Sequence, residues 1–335
     1  MPGRAAKVRA MSAKPQASLT IEENTALTRR VTSLSVGFAV LLSLAKGAAW
    51  MSSGSVSMLA SLADSGLDML AAAATFFAVR YAATPPDREH RYGHGKAEAF
   101  ASLVQAGLVF ASAALVAREA VAHLFHPAPV THETWDLAIM ALSTVMTIVL
   151  VQAQGRVLAK AQSVAVAGDR AHYLADVAAN LVAFAGIALS QLLASPYPDA
   201  VGGLLVTAWL VWGAVSVFRG ASVELMDREL DQEARDQIIA LVRQDPRVRD
   251  VHQLRTRAAG PYVHMQMHAE LDPDITLVQA HQVMIEAERR VLVAFPSADI
   301  LIHPDPRGYA EPHGGLFGES PPARGAEAAP AEPVR

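Results

Sequence analysis

The chain has 335 residues, 52% of them hydrophobic and 18% charged, with a net charge of −4 and no cysteine. Soluble domains carry nearer a quarter charged residues, and here the charges gather at the ends and between apolar runs, the layout of a membrane protein. So small a net charge excludes an electrostatic case for nucleic acid. Without cysteine there are no disulfides, and any metal must be held by His, Asp or Glu.

The first stretch, Met1 to Thr20, is basic and polar with no apolar segment, so it does not read as a signal peptide. Residues 1–30 are expected to be a disordered cytoplasmic extension. Six apolar runs follow, at about Thr32–Met51, Val56–Tyr81, Ala99–His123, Trp135–Gln154, His172–Ala194 and Ala200–Arg219. Each is long enough to cross about 30 Å of hydrocarbon, which takes roughly 20 helical residues. They predict a six-helix transmembrane domain over 31–220. Lys46, inside the first run, can snorkel or pair and is assigned no role.

Loop charges predict the orientation. Arg4, Lys7, Arg9, Lys14, Arg29 and Arg30 precede the first run, Arg88, Arg91 and Lys96 follow the second, and Arg156, Lys160 and Arg170 follow the fourth. The three intervening loops contain no Lys or Arg. The positive-inside rule then places both termini in the cytoplasm. Arg118, near the end of the third run, is a mild exception.

After Arg219 the composition becomes that of a soluble domain, expected over 221–307. Asp231–Gln244 reads as an amphipathic helix stopped by Asp245-Pro246. Val248–Arg257 and Tyr262–Leu271 read as strands around an Ala259-Gly260-Pro261 turn, Thr276–Phe295 as a helix and Ala298–His303 as a last strand. The fold class is therefore an α-helical membrane protein with six transmembrane helices plus a cytoplasmic α+β domain in αββαβ order. The Pro-, Gly- and Ala-rich tail, 308–335, is expected to be disordered.

The chemistry starts at Asp64 and Asp68, four residues apart in an otherwise apolar run, so both sit on one helical face. A charged side chain at mid-membrane costs about 2.5–3.5 kcal/mol, which calls for a purpose. The fifth run repeats the spacing with His172 and Asp176. If the two helices face each other, one imidazole and three carboxylates can cage a divalent ion. Zn²⁺ suits such a tetrahedral set, and the oxygen-rich donors also suit Mn²⁺, Fe²⁺ or Co²⁺. Burial raises carboxylate pKa values, so protons should enter the site as metal leaves.

Two further clusters stand outside the membrane runs. Asp87, His90 and His94 lie in a loop after Pro85-Pro86, where they could hold a second ion or form a solvated polar loop. His252, His264, His268, His281, His303 and Asp305 lie in the soluble domain, where strand histidines are either polar-face residues or ligands converging on one edge.

Asp64-x-x-x-Asp68, the loop Tyr92-Gly-His94-Gly-Lys96-Ala-Glu98 and His172-x-x-x-Asp176 together resemble the cation diffusion facilitator family, in particular its bacterial zinc and ferrous-iron efflux branch. The likeness runs from about Val31 to Asp305, and His252-Gln-Leu-Arg-Thr-Arg257 is similar to the branch's first cytoplasmic strand. It implies a homodimer whose cytoplasmic domains meet below the membrane. It implies a transport site at Asp64, Asp68, His172 and Asp176, and a loop site at Asp87, His90 and His94. It further implies a two-metal site at His252, His268, His281, His303 and Asp305, with Asp305 bridging. His264 matches no ligand position. Lys96 and Asp227 match a charge interlock at the membrane boundary.

The expected function is proton-coupled export of Zn²⁺ from the cytoplasm by alternating access, with H⁺ as counter-ion and Zn²⁺ also binding the cytoplasmic domain as a regulator. The same mechanism with Fe²⁺, Mn²⁺ or Cd²⁺ is the alternative within the class. A membrane metal sensor is the alternative outside it, disfavoured because a sensor needs only the soluble site. The chain is not expected to be an enzyme: it has no His-Glu-x-x-His helix, and four protein ligands leave no open position for a catalytic water.

Overall fold

The computed structural model describes residues 19–53, 56–125, 134–193 and 197–309. They form α1 (Ile21–Ser53), α2 (Val56–Ala82), α3 (Ala97–Phe125), α4 (Thr134–Leu158), α5 (Val164–Leu192), α6 (Tyr197–Leu225), α7 (Gln232–Val242), β1 (Asp250–Ala259), β2 (Tyr262–Leu271), α8 (Leu277–Ala294) and β3 (Ala298–Pro306). The chain divides into two compact units. One holds Met1–Arg228 with Arg257–Val263 and Phe295–Ser297, and the other holds Glu229–Thr256, His264–Ala294 and Ala298–Arg335.

The first unit contains the six long helices. Among the described residues five are long and apolar enough to cross a membrane: Ile21–Ser52, Leu62–Ala82, Ala97–Phe125, Ala141–Leu158 and Ala200–Leu225. The fifth expected crossing falls in α5, which has 29 residues but holds Asp169, Arg170, His172 and Asp176 in its first half. Its start differs from the expectation too. Ser163 caps the helix by accepting from the Val166 N–H at 3.2 Å, so α5 begins eight residues before His172.

The start of α1 corrects another expectation. Residues 21–30, expected to be disordered, are helical. The cause is a capping box: the Glu23 N–H donates to Thr20 Oγ1 at 3.2 Å, and the Thr20 N–H donates back to Glu23 Oε2 at 3.0 Å. Residues 1–18, and the tail from 310, lie outside the described residues.

Packing follows membrane rules. Helix faces are lined by small residues such as Ala71, Ala72, Ala106, Ala113, Ala165 and Ala214, which let backbones approach closely where hydrocarbon offers no hydrophobic drive. Gly203 lies against Ala120 and Gly202 against Val182, each closer than a Cβ would allow. The outward side chains include Leu41, Leu44, Phe77, Leu115, Leu205 and Trp212. Such a surface is a liability in water and suits lipid.

The second unit shows the expected αββαβ order. Its strands belong to a three-stranded sheet ordered β1-β2-β3, with β2 in the centre. On β2 the alternation is plain: Met265, Met267, Ala269 and Leu271 are buried, as are Ile238 and Val242 of α7 and Val283, Ala287 and Val291 of α8. Asp231 caps α7 by accepting from the Ala234 N–H.

Candidate functional site

Within the membrane-spanning unit, α2 and α5 bring Asp68, His172 and Asp176 together, with one donor atom from each lying within 4.8 Å of the others. His172 Nε2 is 3.0 Å from Asp68 Oδ1 and 3.8 Å from Asp176 Oδ2. Ligands about 2.0–2.1 Å from a tetrahedral ion sit roughly 3.3 Å from one another, so these separations bracket what a small divalent ion needs. His172 is buried, and its Nδ1 has no hydrogen-bond partner among the described residues. Asp64 does not join this group. It is exposed, one turn earlier on α2, although the charges of Asp68, His172 and Lys46 reach it. Lys46 is buried nearby, its Nζ donating to Ser65 Oγ at 2.6 Å.

A polar layer that the sequence reading missed lies one turn from the triad. Asp169 is fully buried and accepts from Gln105 Nε2 at 3.2 Å and Gln154 Nε2 at 2.8 Å. The available signal was its position three residues before His172, on the same face of α5.

The loop brings Asp87, His90 and His94 together. Asp87 Oδ2 is 3.3 Å from His94 Nε2, and Asp87 Oδ1 is 3.5 Å from His90 Nδ1. Asp87 Oδ1 also accepts from the His90 N–H at 2.6 Å and the Glu89 N–H at 2.9 Å. The His90 N–H foremost holds the carboxyl below the usual carboxylate range, while the slight burial opposes it. His94 is buried, with Nδ1 2.8 Å from Thr84 Oγ1.

The glycines flanking His94 do steric work. Gly93 has φ +81, a conformation glycine adopts freely. A Cβ on Gly95 would meet the Ala259 carbonyl, and one on Gly260 would meet Gly95 O at 2.6 Å. With these backbones in contact, Lys96 Nζ lies 2.9 Å from Asp227 Oδ1, and Arg257 Nη1 lies 3.2 Å from Asp227 Oδ2. Partial burial would raise the Asp227 carboxyl, but Lys96 and then Arg257 hold it below its ordinary value. Asp227 lies two residues past the end of α6 and has φ 54, in the left-handed region common where helices end.

In the second unit His252 of β1, His268 of β2 and Asp305 of β3 converge. Asp305 Oδ2 is 3.2 Å from His252 Nε2 and 2.9 Å from His268 Nδ1, while Oδ1 is 3.3 Å from His303 Nε2. Asp305 thus offers one oxygen to each side. His281 is exposed on α8 and joins no such group among the described residues. His264 points elsewhere, with Nδ1 3.0 Å from Asp299 Oδ2.

Comparison with known proteins decides what these sites belong to. The family model for the cation efflux transmembrane domain matches residues 33–226, and that for the cation efflux protein cytoplasmic domain matches 230–307. The chain belongs to the cation diffusion facilitator family. Relatives agree along nearly their whole length. The cation-efflux pump FieF of Shewanella oneidensis is 39% identical over 272 residues, 81% of this chain and 92% of that protein. FieF of Escherichia coli strain K12 is 37% identical over 284 residues, 84% of this chain and 93% of that protein. The solved structure of CzrB in its Zn form is 32% identical, covers 25% of this chain and 98% of its own, and has a TM-score of 0.24. As a member of the cation diffusion facilitator family the protein is a multi-pass membrane cation efflux transporter, with a C-terminal cytoplasmic domain.

Proposed function

We propose that this transporter exports Zn²⁺ from the cytoplasm across the inner membrane by alternating access, in exchange for protons, and works as a homodimer with both termini cytoplasmic. The observation that carries this reading is the meeting of Asp68, His172 and Asp176 between α2 and α5 of the helical unit. Acids held within a membrane are costly unless a cation or protons neutralise them. One imidazole with carboxylate oxygens is a donor set that Zn²⁺ accepts readily. Asp64, one turn away on α2, completes a four-ligand cage by a change of side-chain rotamer when the ion arrives.

Regulation is assigned to the cytoplasmic domain, where His252, His268 and Asp305, with His303 beside them, bind Zn²⁺ and tighten the dimer. The loop group Asp87, His90 and His94 takes a further ion, and His281 joins the cytoplasmic site from α8 on ion binding. A second reading keeps the mechanism but makes Fe²⁺, Mn²⁺ or Cd²⁺ the main cargo, and the oxygen-rich intramembrane donors favour it for the harder ions.

The test is ion-by-ion flux into sealed proteoliposomes with a pH gradient. Zn²⁺ uptake should alkalinise the lumen in step with the metal, as protons leave in exchange, and Asp68→Ala and His172→Ala should each lower it by about a hundredfold, as loss of a partner in a buried charged pair does. Asp64→Asn should cost about tenfold. Metal movement indifferent to the gradient ends the proton coupling, and unimpaired flux in Asp68→Ala ends the site.

A further inference from the structure

Asp169 is an expensive residue with no place in the cage just described. It sits in α5, fully buried in the membrane-spanning unit. Two amides from different helices hold its two oxygens: Gln105 of α3 donates to Oδ1 at 3.2 Å, and Gln154 of α4 donates to Oδ2 at 2.8 Å. Both amides reach further. Gln105 Nε2 is 3.1 Å from the Ala71 carbonyl and 3.0 Å from Thr75 Oγ1, both on α2. Gln154 Nε2 is 3.1 Å from Ser35 Oγ of α1. Five helices therefore meet at one carboxylate.

The register of these contacts matters more than their number. Ala71 lies three residues after Asp68 on α2, and Asp169 lies three residues before His172 on α5. The two helices run antiparallel here, so Gln105 ties them together one turn from the place where their ligands meet. Direct packing between α2 and α5 is sparse compared with α1 on α2 or α3 on α6. In hydrocarbon a polar bridge of this kind has no water to compete with it.

We propose that Asp169 and Gln105 form a brace that sets the α2–α5 separation at the transport site and thereby helps select the ion. The inference rests on the site reading above. Asp169 is a positioning residue: it holds the backbone that presents His172 and does not touch the ion. Breaking the brace leaves Gln105 tied to α2 through Ala71 and Thr75, and Gln154 tied to α1 through Ser35, but neither tied to α5, so the helices are free to move apart. A wider cage disfavours Zn²⁺ more than the larger Cd²⁺.

The experiment is flux of Zn²⁺ and of Cd²⁺ into proteoliposomes, reading KM for each, with thermal unfolding of the same preparations. Asp169→Ala should raise the Zn²⁺ KM about tenfold, the scale on which groups behind a ligand act, and raise the Cd²⁺ KM less. Asp169→Asn should keep the wild-type ratio. The asparagine oxygen still accepts from Gln105, and Gln154 can rotate to offer its Oε1, which has no partner now, to the new amide. Gln105→Leu, which keeps Asp169 and its bond to Gln154, should shift the ratio in the same direction as Asp169→Ala, and the double variant should add little.

An unchanged KM ratio in both Asp169→Ala and Gln105→Leu overturns the brace. So does an equal loss for both ions alongside lowered thermal stability, which is the signature of general damage. Asp169→Asn failing like Asp169→Ala overturns it as well, because charge and not bracing would then be what matters. Asp68→Ala run in parallel keeps the two readings apart: normal flux in that variant removes the site, whereas its loss beside a normal Asp169→Ala removes only the brace.

Discussion

The triad on α2 and α5 and the triad on the sheet use the same chemistry in opposite mechanical settings. Asp68, His172 and Asp176 come from two helices whose relative position depends on side-chain packing and polar bridges. His252, His268 and Asp305 come from three strands paired as β1-β2-β3, where backbone hydrogen bonds hold neighbours about 4.8 Å apart. A helix-borne cage can open when one helix slides or tilts. A sheet-borne cage cannot open without breaking the ladder. The first arrangement suits an ion that must leave, and the second suits one that stays and reports its presence.

Three variants sharpen or break this contrast. The largest effect is expected from Asp176→Asn. It removes a charge from the helix-borne cage and should cut Zn²⁺ flux by about a hundredfold, while metal titration of the cytoplasmic domain in the intact protein stays as in the wild type. If flux and cytoplasmic binding fall together, the two sites are not separable and the contrast fails. A smaller effect is expected from His268→Ala combined with Asp305→Ala. A distance probe between the soluble domains should lose its response to Zn²⁺, and flux should fall about fivefold, the scale of a modest coupling between sites. An intact probe response would show that the sheet cage does not report.

The smallest effect tests the frame of the sheet domain. Arg247 donates to Asp245 at 2.7 Å and 3.0 Å, and chiefly this holds the Asp245 carboxyl below its usual range. Because the folded value is depressed, its stabilisation is complete above about pH 4 and is lost as pH falls through the folded value. Asp245→Asn should therefore cost about 1–2 kcal/mol at neutral pH and little in acid. Thermal unfolding of the full chain at pH 7 and again in strong acid, below the depressed folded value, reads the difference. An equal shift at both pH values would place the effect in packing.

How far the site could be read from sequence follows from where each residue's partner lies. Asp68, His172 and Asp176 were legible because i, i+4 spacing on a helix is local, and acids in an apolar run advertise themselves. β2 was legible to the residue, since Met265, Met267 and Ala269 alternate with polar neighbours between turn signals. Asp64 shares the spacing but not the place: i, i+4 spacing fixes a shared helix face, not whether a side chain comes within reach of the facing helix. His281 matched a family position yet stands apart, since reaching the sheet depends on how α8 lies. Asp169 was missed for the opposite reason. Its partners Gln105 and Gln154 are 64 and 15 residues away in sequence, and a lone acid beside Arg170 reads as part of a loop. The early start of α1 was available in Thr20-Ile-Glu-Glu23, a short capping signal outweighed by the basic composition around it.

The contact between Gly95 and the Ala259–Gly260 turn has a consequence of its own. Lys96, Asp227 and Arg257 attract one another through flexible arms, yet what fixes their meeting point is two chain segments touching where hydrogen replaces a methyl group. Gly95→Ala would leave every charge in place and still pry the segments apart, so the ionic cluster can be disabled by a change that carries no charge at all.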